Sequence, residues 1–187
     1  MKKIIRAGII AICAAAACAF LTACQSNSPA GAASTAGNGS GQILPVGSNP
    51  IKNSATASGL AIVAAGVENN VDPSTNNPIP DCLQIKVKNN SNQKMGDFEI
   101  YYSMSDSKTG ASEGYYQKLY GLSLAPGQSQ TIFFDNGNAP GHYPENKYSI
   151  YRSSKNEVRF SIELSTPGFR PATARANKGP GTGEQKD

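Results

Sequence analysis

Residues 157–164, EVRFSIEL, carry the clearest strand pattern in the chain. The apolar positions of this stretch are Val158, Phe160, Ile162 and Leu164. Successive side chains of a strand point to opposite faces of a sheet, so the alternation gives one apolar face and one polar face. Strands of this kind are typical of antiparallel sheets that pack one face on a core. The stretch therefore predicts a sheet with a second layer packed against it.

Further strand patterns recur between residues 59 and 176, with turn residues between them. The predicted strands are residues 59–67, 82–88, 98–104, 115–120, 130–134, 148–152, 157–164 and 169–176. Leu83, Ile85 and Val87 form the apolar face of the second strand. Outside the first 23 residues, no stretch repeats its apolar residues at the helical period. The pattern predicts an all-β protein, an antiparallel β-sandwich of seven to eight short strands.

The first 23 residues have the layout of an export signal. Lys2, Lys3 and Arg6 give the N-terminus its positive charge, and residues 7–21 form an apolar run diluted by a single glycine. A helix that spans a bilayer needs about 20 apolar residues, so this run is short for a spanning segment. A positive start followed by an apolar stretch of this length is typical of a secretory signal peptide.

The apolar run ends in the motif Leu21-Thr22-Ala23-Cys24. This motif resembles the lipobox of bacterial lipoprotein precursors, which has Leu three residues before Cys and a small residue just before it. The resemblance implies transfer of a diacylglyceryl group to the Cys24 thiol and cleavage between Ala23 and Cys24. Two or three acyl chains anchor a protein lastingly, since each buried CH₂ contributes about 0.8 kcal/mol. We expect a lipid anchor in the cell membrane, on its extracytoplasmic face, or in the outer membrane of a Gram-negative cell.

Residues 24–58 have the composition of a linker that follows the lipidated Cys24. Of residues 25–58, 29 of 34 are Gly, Ala, Ser, Thr, Asn, Pro or Gln. Such a segment buries too little apolar surface to offset the entropy lost on ordering. The sequence therefore predicts a flexible linker at 24–58, a domain at 59–176 and a disordered tail at 177–187.

Three stretches of the predicted domain resemble bacterial Ig-like and similar sandwich domains. They are LQIKVKNN at 83–90, FEIYYSMSD at 98–106 and SLAPGQSQTIFF at 123–134. The stretches EGYYQKL, FFDN and HYPENKYSIYRSSKN also resemble uncharacterised lipoproteins of high-GC Gram-positive bacteria. These resemblances imply an Ig-like antiparallel β-sandwich, and neither group supplies catalytic residues. The chain has no Trp and one domain Cys, so the Cys and Trp hallmark of antibody domains is absent.

The charge of the chain is nearly balanced once the export signal is set aside. The full chain has 17 Lys and Arg against 13 Asp and Glu, and removal of residues 1–23 leaves 14 against 13. Nucleic-acid binding depends on a clustered basic surface, so this balance argues against nucleic acid as a partner.

Candidate residues for catalysis and metal binding are few. His142 is the only His, and it lies in a predicted loop with no G-x-S-x-G motif nearby. His142 and Cys82, the only domain Cys, cannot supply the four ligands of a structural zinc site. We therefore predict a protein that is not an enzyme and holds no cofactor and no metal. Cys82 is predicted to be buried at a strand start, with an intermolecular disulfide as the alternative.

Tyrosine is the most suggestive residue type for binding. All eight Tyr lie between residues 101 and 151, and they include the adjacent pairs Tyr101-Tyr102 and Tyr115-Tyr116. One ring of each pair must face away from the other, which brings at least two rings to the outer face. An exposed Tyr can stack on a sugar or anchor a protein partner. The predicted ligand face is Tyr101, Tyr115, Tyr116 and Tyr120, although Tyr is also a common core residue of strands.

The sequence thus predicts a lipid-anchored protein of the cell envelope with a non-catalytic Ig-like domain. The expected partners are the membrane, through Cys24, and a protein or glycan of the envelope. One alternative is a carbohydrate-binding module that uses the exposed Tyr side chains. The other is a structural or accessory subunit of an envelope complex.

Overall fold

A computed structural model describes residues 43–181 of the chain. The predicted signal peptide over residues 1–23, the lipidation and cleavage site at Ala23 and Cys24, and residues 182–187 lie outside the described residues. Residues 43–181 form eight strands and one short helix. The elements are β1 (Leu60–Gly66), β2 (Leu83–Asn89), β3 (Glu99–Asp106), β4 (Ser112–Lys118), β5 (Ser129–Phe134), β6 (His142–Tyr143), α1 (Ile150–Ser153), β7 (Val158–Ser165) and β8 (Ala172–Lys178).

The strands form two four-stranded sheets within the described part of the chain. One sheet has the order β1-β2-β5-β6, and the other has the order β4-β3-β7-β8. Neighbouring strands are antiparallel, except that β5 and β6 are parallel. Strands β1, β2 and β5 take the places of A, B and E in an Ig domain, and β3, β7 and β8 take those of C, F and G. The predicted Ig-like antiparallel β-sandwich is confirmed.

Alternating side chains from both sheets fill the core. All four apolar residues of the stretch EVRFSIEL are buried, and so are Leu83, Ile85 and Val87 on β2. The inward face of β3 consists of Ile100, Tyr102 and Met104. Burial of each large apolar side chain contributes about 1.5–3 kcal/mol, so these alternating faces are the main source of stability.

The predicted strand over residues 148–152 is wrong, because this segment forms helix α1. Its turn is closed by hydrogen bonds from the N–H groups of Arg152 and Ser153 to the Ser149 carbonyl. Ile150 and Tyr151 are both buried, which successive residues of a strand with one buried face cannot achieve. The Tyr151 hydroxyl donates to the Val67 carbonyl at 2.7 Å. The helical turn thus brings two neighbouring large side chains into the core.

The structure differs from the predicted linker at its C-terminal end. The side chain of Ile51 is buried, and the Val46 N–H donates to the Gly114 carbonyl of β4 at 2.7 Å. The Asn53 amide nitrogen donates to Ser165 Oγ, Thr166 O and Phe169 O at 2.8, 3.1 and 2.9 Å. We call residues 46–57 the N-terminal strap. Its anchors are mostly polar, which is why its composition resembles that of a linker.

The predicted tail also differs at its first residues. Asn177 and Lys178 belong to β8, and Lys178 is buried. The Lys178 ammonium donates to the Ser154 carbonyl, and Glu68 lies close enough to favour its charged form. Burial nevertheless lowers the pKa of Lys178. A buried cation is stable only when it is paired in this way, which cannot be seen from the local sequence.

Candidate functional site

Two regions are candidates for a functional site: the tyrosines of β3 and β4, and a cleft beside β5 and β6. Tyr101 lies directly opposite Tyr116, and Tyr102 lies directly opposite Tyr115. Tyr102 and Tyr115 are buried, with ring centroids 5.5 Å apart. The expectation that one ring of each adjacent pair faces outward is therefore confirmed for these two pairs.

Tyr115 does not belong to the predicted ligand face. Its side chain is fully buried, and its hydroxyl donates to Glu113 Oε2 at 2.6 Å. Asn146 Nδ2 donates to the same hydroxyl at 3.2 Å. Burial, followed by the neighbouring Glu113 carboxylate, raises the pKa of Tyr115. The alternation along β4 explains the correction, because Tyr115 and Tyr116 must point to opposite faces.

The remaining outward tyrosines are only partly accessible. Tyr120 is 65% exposed, whereas Tyr101 and Tyr116 are of intermediate exposure. A Cβ placed on Gly114 would lie 2.5 Å from the Tyr101 hydroxyl, so the Tyr101 ring rests on the bare backbone of Gly114. The strap also reaches this face, since Asn49 Nδ2 donates at 2.9 Å to Oε2 of Glu163, the residue opposite Tyr101 on β7. The N-terminal strap thus covers part of the outer face on which Tyr101 lies.

The second region is a cleft of about 470 Å³. One wall is the loop between β1 and β2, through residues 72–74 and 79–81. The opposite wall is formed by Phe133, Asp135, His142 and Arg152. The volume lies within the range of about 300–1,000 Å³ that is typical of small-molecule sites.

His142 is held in a fixed orientation at this cleft. Its Nδ1 lies 2.8 Å from Asp135 Oδ2 and 3.0 Å from Oδ1. Its ring stacks on Phe133 with centroids 4.8 Å apart and planes 18° apart. The parallel pairing of β5 and β6 places these two residues side by side. Because a carboxylate only accepts, Nδ1 carries the proton of the neutral ring and Nε2 carries the lone pair.

Gly137 is required for this arrangement. A Cβ on Gly137 would lie 2.6 Å from His142 Nδ1 and 3.0 Å from Asp135 Oδ1. The Gly137 N–H also donates to Asp135 Oδ1 at 2.9 Å. Any larger residue at this position would displace the imidazole from its carboxylate.

The facing loop is braced by Asp72. Asp72 Oδ1 accepts from the Ser74 hydroxyl at 2.5 Å and from the N–H groups of Ser74 and Thr75 at 2.7 and 3.2 Å. The Ser74 hydroxyl and N–H lower the pKa of Asp72. Asp72 is therefore ionised near neutral pH. Its second oxygen, Oδ2, has no hydrogen-bond partner within residues 43–181.

Arg152 joins the two walls. Its Nη2 and Nε contact the two carboxylate oxygens of Glu145 at 2.5 and 3.2 Å, and its Nη1 donates to the Asp81 carbonyl at 3.2 Å. Burial raises the pKa of Glu145, although the Arg152 partner acts in the opposite direction. The guanidinium charge is thus balanced by Glu145, while Asp72 and Asp135 remain in the cleft with one imidazole.

The sequence did not single out this cleft. His142 was expected to be an ordinary loop residue, and Asp135 is seven positions away in a segment rich in Asn, Gly and Pro. The signal that could have revealed the pair is the single His near an Asp that directly follows a strand. Cys82 is buried as predicted, at 1% exposure, and burial raises its thiol pKa to about 12. The alternative of an intermolecular disulfide remains a prediction.

The described residues contain neither a membrane-spanning helix nor a cluster of metal ligands. Between residues 43 and 181, no helix has the length and apolar character needed to span a bilayer. The same region has no group of three or more His, Cys, Asp or Glu side chains suited to holding a metal ion.

Comparisons with known proteins identify no family for this chain. No protein-family model matches the chain, and no curated protein matches it. Among solved structures, Bacteroides uniformis β-glucuronidase 2 is 13% identical over 66% of this chain and 13% of its own length, with a TM-score of 0.33. Another Bacteroides uniformis β-glucuronidase is 11% identical over 65% of this chain and 12% of its own, with a TM-score of 0.32.

The sporulation control protein Spo0M from Bacillus subtilis is 10% identical over 67% of this chain and 50% of its own, with a TM-score of 0.33. The chain thus spans a small part of the glucuronidases and half of Spo0M. At TM-scores this low, the similarities carry no conclusion about function.

Proposed function

We propose that the protein is a lipid-anchored, non-catalytic binding protein of the cell envelope. In this proposal Cys24 carries the anchor on the extracytoplasmic face, and the Ig-like domain binds an envelope protein or glycan through the cleft at His142. The observation that carries the binding site is the 470 Å³ cleft in which His142 is fixed by Asp135 and Phe133. Fixed polar groups in an apolar-walled cleft are the usual features of a ligand site.

Two features favour binding over catalysis. A His–Asp pair acts in nucleophilic catalysis when the imidazole bonds a nucleophile such as Ser. The serine of this cleft, Ser74, donates its hydroxyl to Asp72 instead. The only domain thiol, Cys82, has its pKa raised to about 12 by burial and is a poor nucleophile.

The anchor and the binding site are tested separately. Cys24→Ala should abolish fatty-acid labelling and membrane retention of the full chain. Persistence of both in the variant would refute the anchor.

For the site, a photo-crosslinking amino acid at Ile79, in the cleft wall, should capture an envelope component in intact cells. The same amino acid at the exposed turn residue Thr109 serves as the control, and equal capture from both positions would refute the cleft as the binding site.

The carbohydrate-binding alternative retains a narrower set of residues. Burial raises the pKa of Tyr116, and the nearby Glu99 carboxylate and the Tyr120 hydroxyl add to this effect. If these rings form a sugar platform, Tyr116→Ala and Tyr120→Ala should each reduce retention on immobilised envelope glycans. Tyr148→Ala is the matched control, because Tyr148 is 69% exposed and lies outside this face. Equal retention of all three variants would remove the platform from consideration.

A further inference from the structure

The polar groups of the cleft offer hydrogen-bond acceptors to a ligand. Asp135 accepts the hydrogen bond that His142 Nδ1–H donates, which leaves Nε2 of the neutral ring as an acceptor. Within the described range 43–181, His142 Nε2 has no partner, and Asp72 Oδ2 has none either. Asp72 and His142 both line the cleft, on facing walls. A ligand that fills this site must therefore bring donors.

The charge of the cleft favours a cation over a neutral donor. The carboxylates of Asp72 and Asp135 line it on facing walls. The only guanidinium, that of Arg152, already forms an ion pair with Glu145. The remaining field is negative, and in a concave site with low-dielectric walls such a field is stronger than on an open surface.

Apolar groups supply the rest of the lining. Pro73, Ile79 and Pro80 lie on the loop wall, and Phe133 lies on the opposite wall. These side chains can cover the carbon skeleton of a ligand but offer no donor that would hold an anionic group. A compact molecule with an ammonium group on a small carbon or sugar skeleton satisfies all three features of the cleft.

We infer that the cleft binds a small organic ammonium compound, such as an amino sugar or an alkyl amine, with its ammonium group between Asp72 Oδ2 and His142 Nε2. The inference rests on the proposed function and specifies the ligand class of that site. It fits an envelope component that carries a free amine. An N-acetylated or purely hydroxylated analogue lacks the charge and should bind more weakly.

The test follows the imidazole of His142, which is the only His in the full chain and therefore gives one set of ring signals in NMR spectra. The untagged full chain is titrated with glucosamine, N-acetylglucosamine and glucose, and in parallel with ethanolamine and 1,5-diaminopentane. Hydrogen bonds to charged groups contribute about 1.5–3 kcal/mol. We therefore expect an ammonium probe to bind at least about tenfold more tightly than glucose or N-acetylglucosamine.

The variant Asp72→Asn should weaken this binding by about tenfold or more, because it removes the free carboxylate charge. The control is Asp97→Asn, which removes the same charge from an exposed residue outside the cleft. Asp97 has a φ of 50°, which Asn also adopts readily, so the control should fold normally.

The results separate the inference from the proposed function. If no ammonium probe moves the His142 signal at concentrations on the order of 10 mM, well above a millimolar Kd, the ammonium inference is refuted. If all three sugars bind equally and Asp72→Asn binds them normally, the inference is also refuted, but the cleft remains the ligand site. Failure of the crosslinking experiment at Ile79 would instead refute the cleft as the site for an envelope partner.

Discussion

The side chain of Asn53 should contribute substantially to the stability of the domain, although it lies in a segment with the composition of a linker. Its amide nitrogen donates to Ser165 Oγ, Thr166 O and Phe169 O, and its Oδ1 accepts from the Ala55 N–H at 2.9 Å. Ser165 and Thr166 are buried, so water cannot readily replace the lost donor. We predict that Asn53→Ala lowers the free energy of unfolding.

The magnitude follows from the number of hydrogen bonds. The two amide protons of Asn53 support about two full hydrogen bonds, and each contributes about 0.5–1.5 kcal/mol net. The bond to Ala55 is partly exposed and adds less. The expected loss is therefore about 1–3 kcal/mol, with the upper end favoured because the buried acceptors lose their partner.

Urea denaturation of the full chain measures this loss as a lower midpoint at an unchanged slope. The matched control is Ser54→Ala, a neighbouring exposed residue whose replacement should change stability by less than about 0.5 kcal/mol. If Asn53→Ala is as stable as Ser54→Ala, the hydrogen bonds of Asn53 contribute nothing to stability and its anchoring role is refuted.

Three other predictions concern the cleft and the core. Gly137→Ala should destabilise the protein by about 1–3 kcal/mol, because its Cβ would overlap His142 Nδ1, whereas Gly96→Ala, with open space around it, should be neutral by the same denaturation assay. The Cys82 thiol should react with Ellman's reagent only after denaturation, since burial raises its pKa to about 12; fast reaction of the native thiol, judged against Cys82→Ser, would contradict this. The Ser154 hydroxyl holds the pKa of Asp106 below its usual 3.8. The charged carboxylate is thus favoured in the folded state, and its full contribution to the free energy of unfolding is present above pH 3.8. The free energy of unfolding should fall as the pH is lowered below this value, and it should fall less steeply in Asp106→Asn than in the unmodified protein.

The strands could be predicted because the alternation of apolar and polar residues that specifies each one lies within the strand's own sequence. The alternation in β2, β3 and β7 fixes both the strand and its buried face, and burial follows it in each case. The sandwich itself follows from the number of such faces that need a partner. The outward and inward tyrosines were predictable as a pattern, but which ring of each pair faces the core depends on the pairing of β3 with β4.

The parts that escaped prediction depend on non-local contacts. Helix α1 forms where two adjacent side chains are both buried, and the partner of Tyr151 is Val67, far away in the chain. Asn53 stabilises the fold through residues more than 100 positions away. The His142 site requires the parallel pairing of β5 and β6, which two residues of sequence cannot indicate.

The contrast between the two candidate surfaces explains why the cleft carries the proposed site. The strap donates to the outer side of β4 through Val46, which satisfies part of an edge strand that would otherwise invite pairing with another chain. It then reaches Glu163 through Asn49, so a ligand stacked on Tyr101 would share its sheet face with a segment already bonded there. The cleft lies instead against the end of the other sheet. In the part of the chain from 43 to 181, no protein donor bonds its two acceptors, Asp72 Oδ2 and His142 Nε2, so a ligand there need not break a hydrogen bond within the protein.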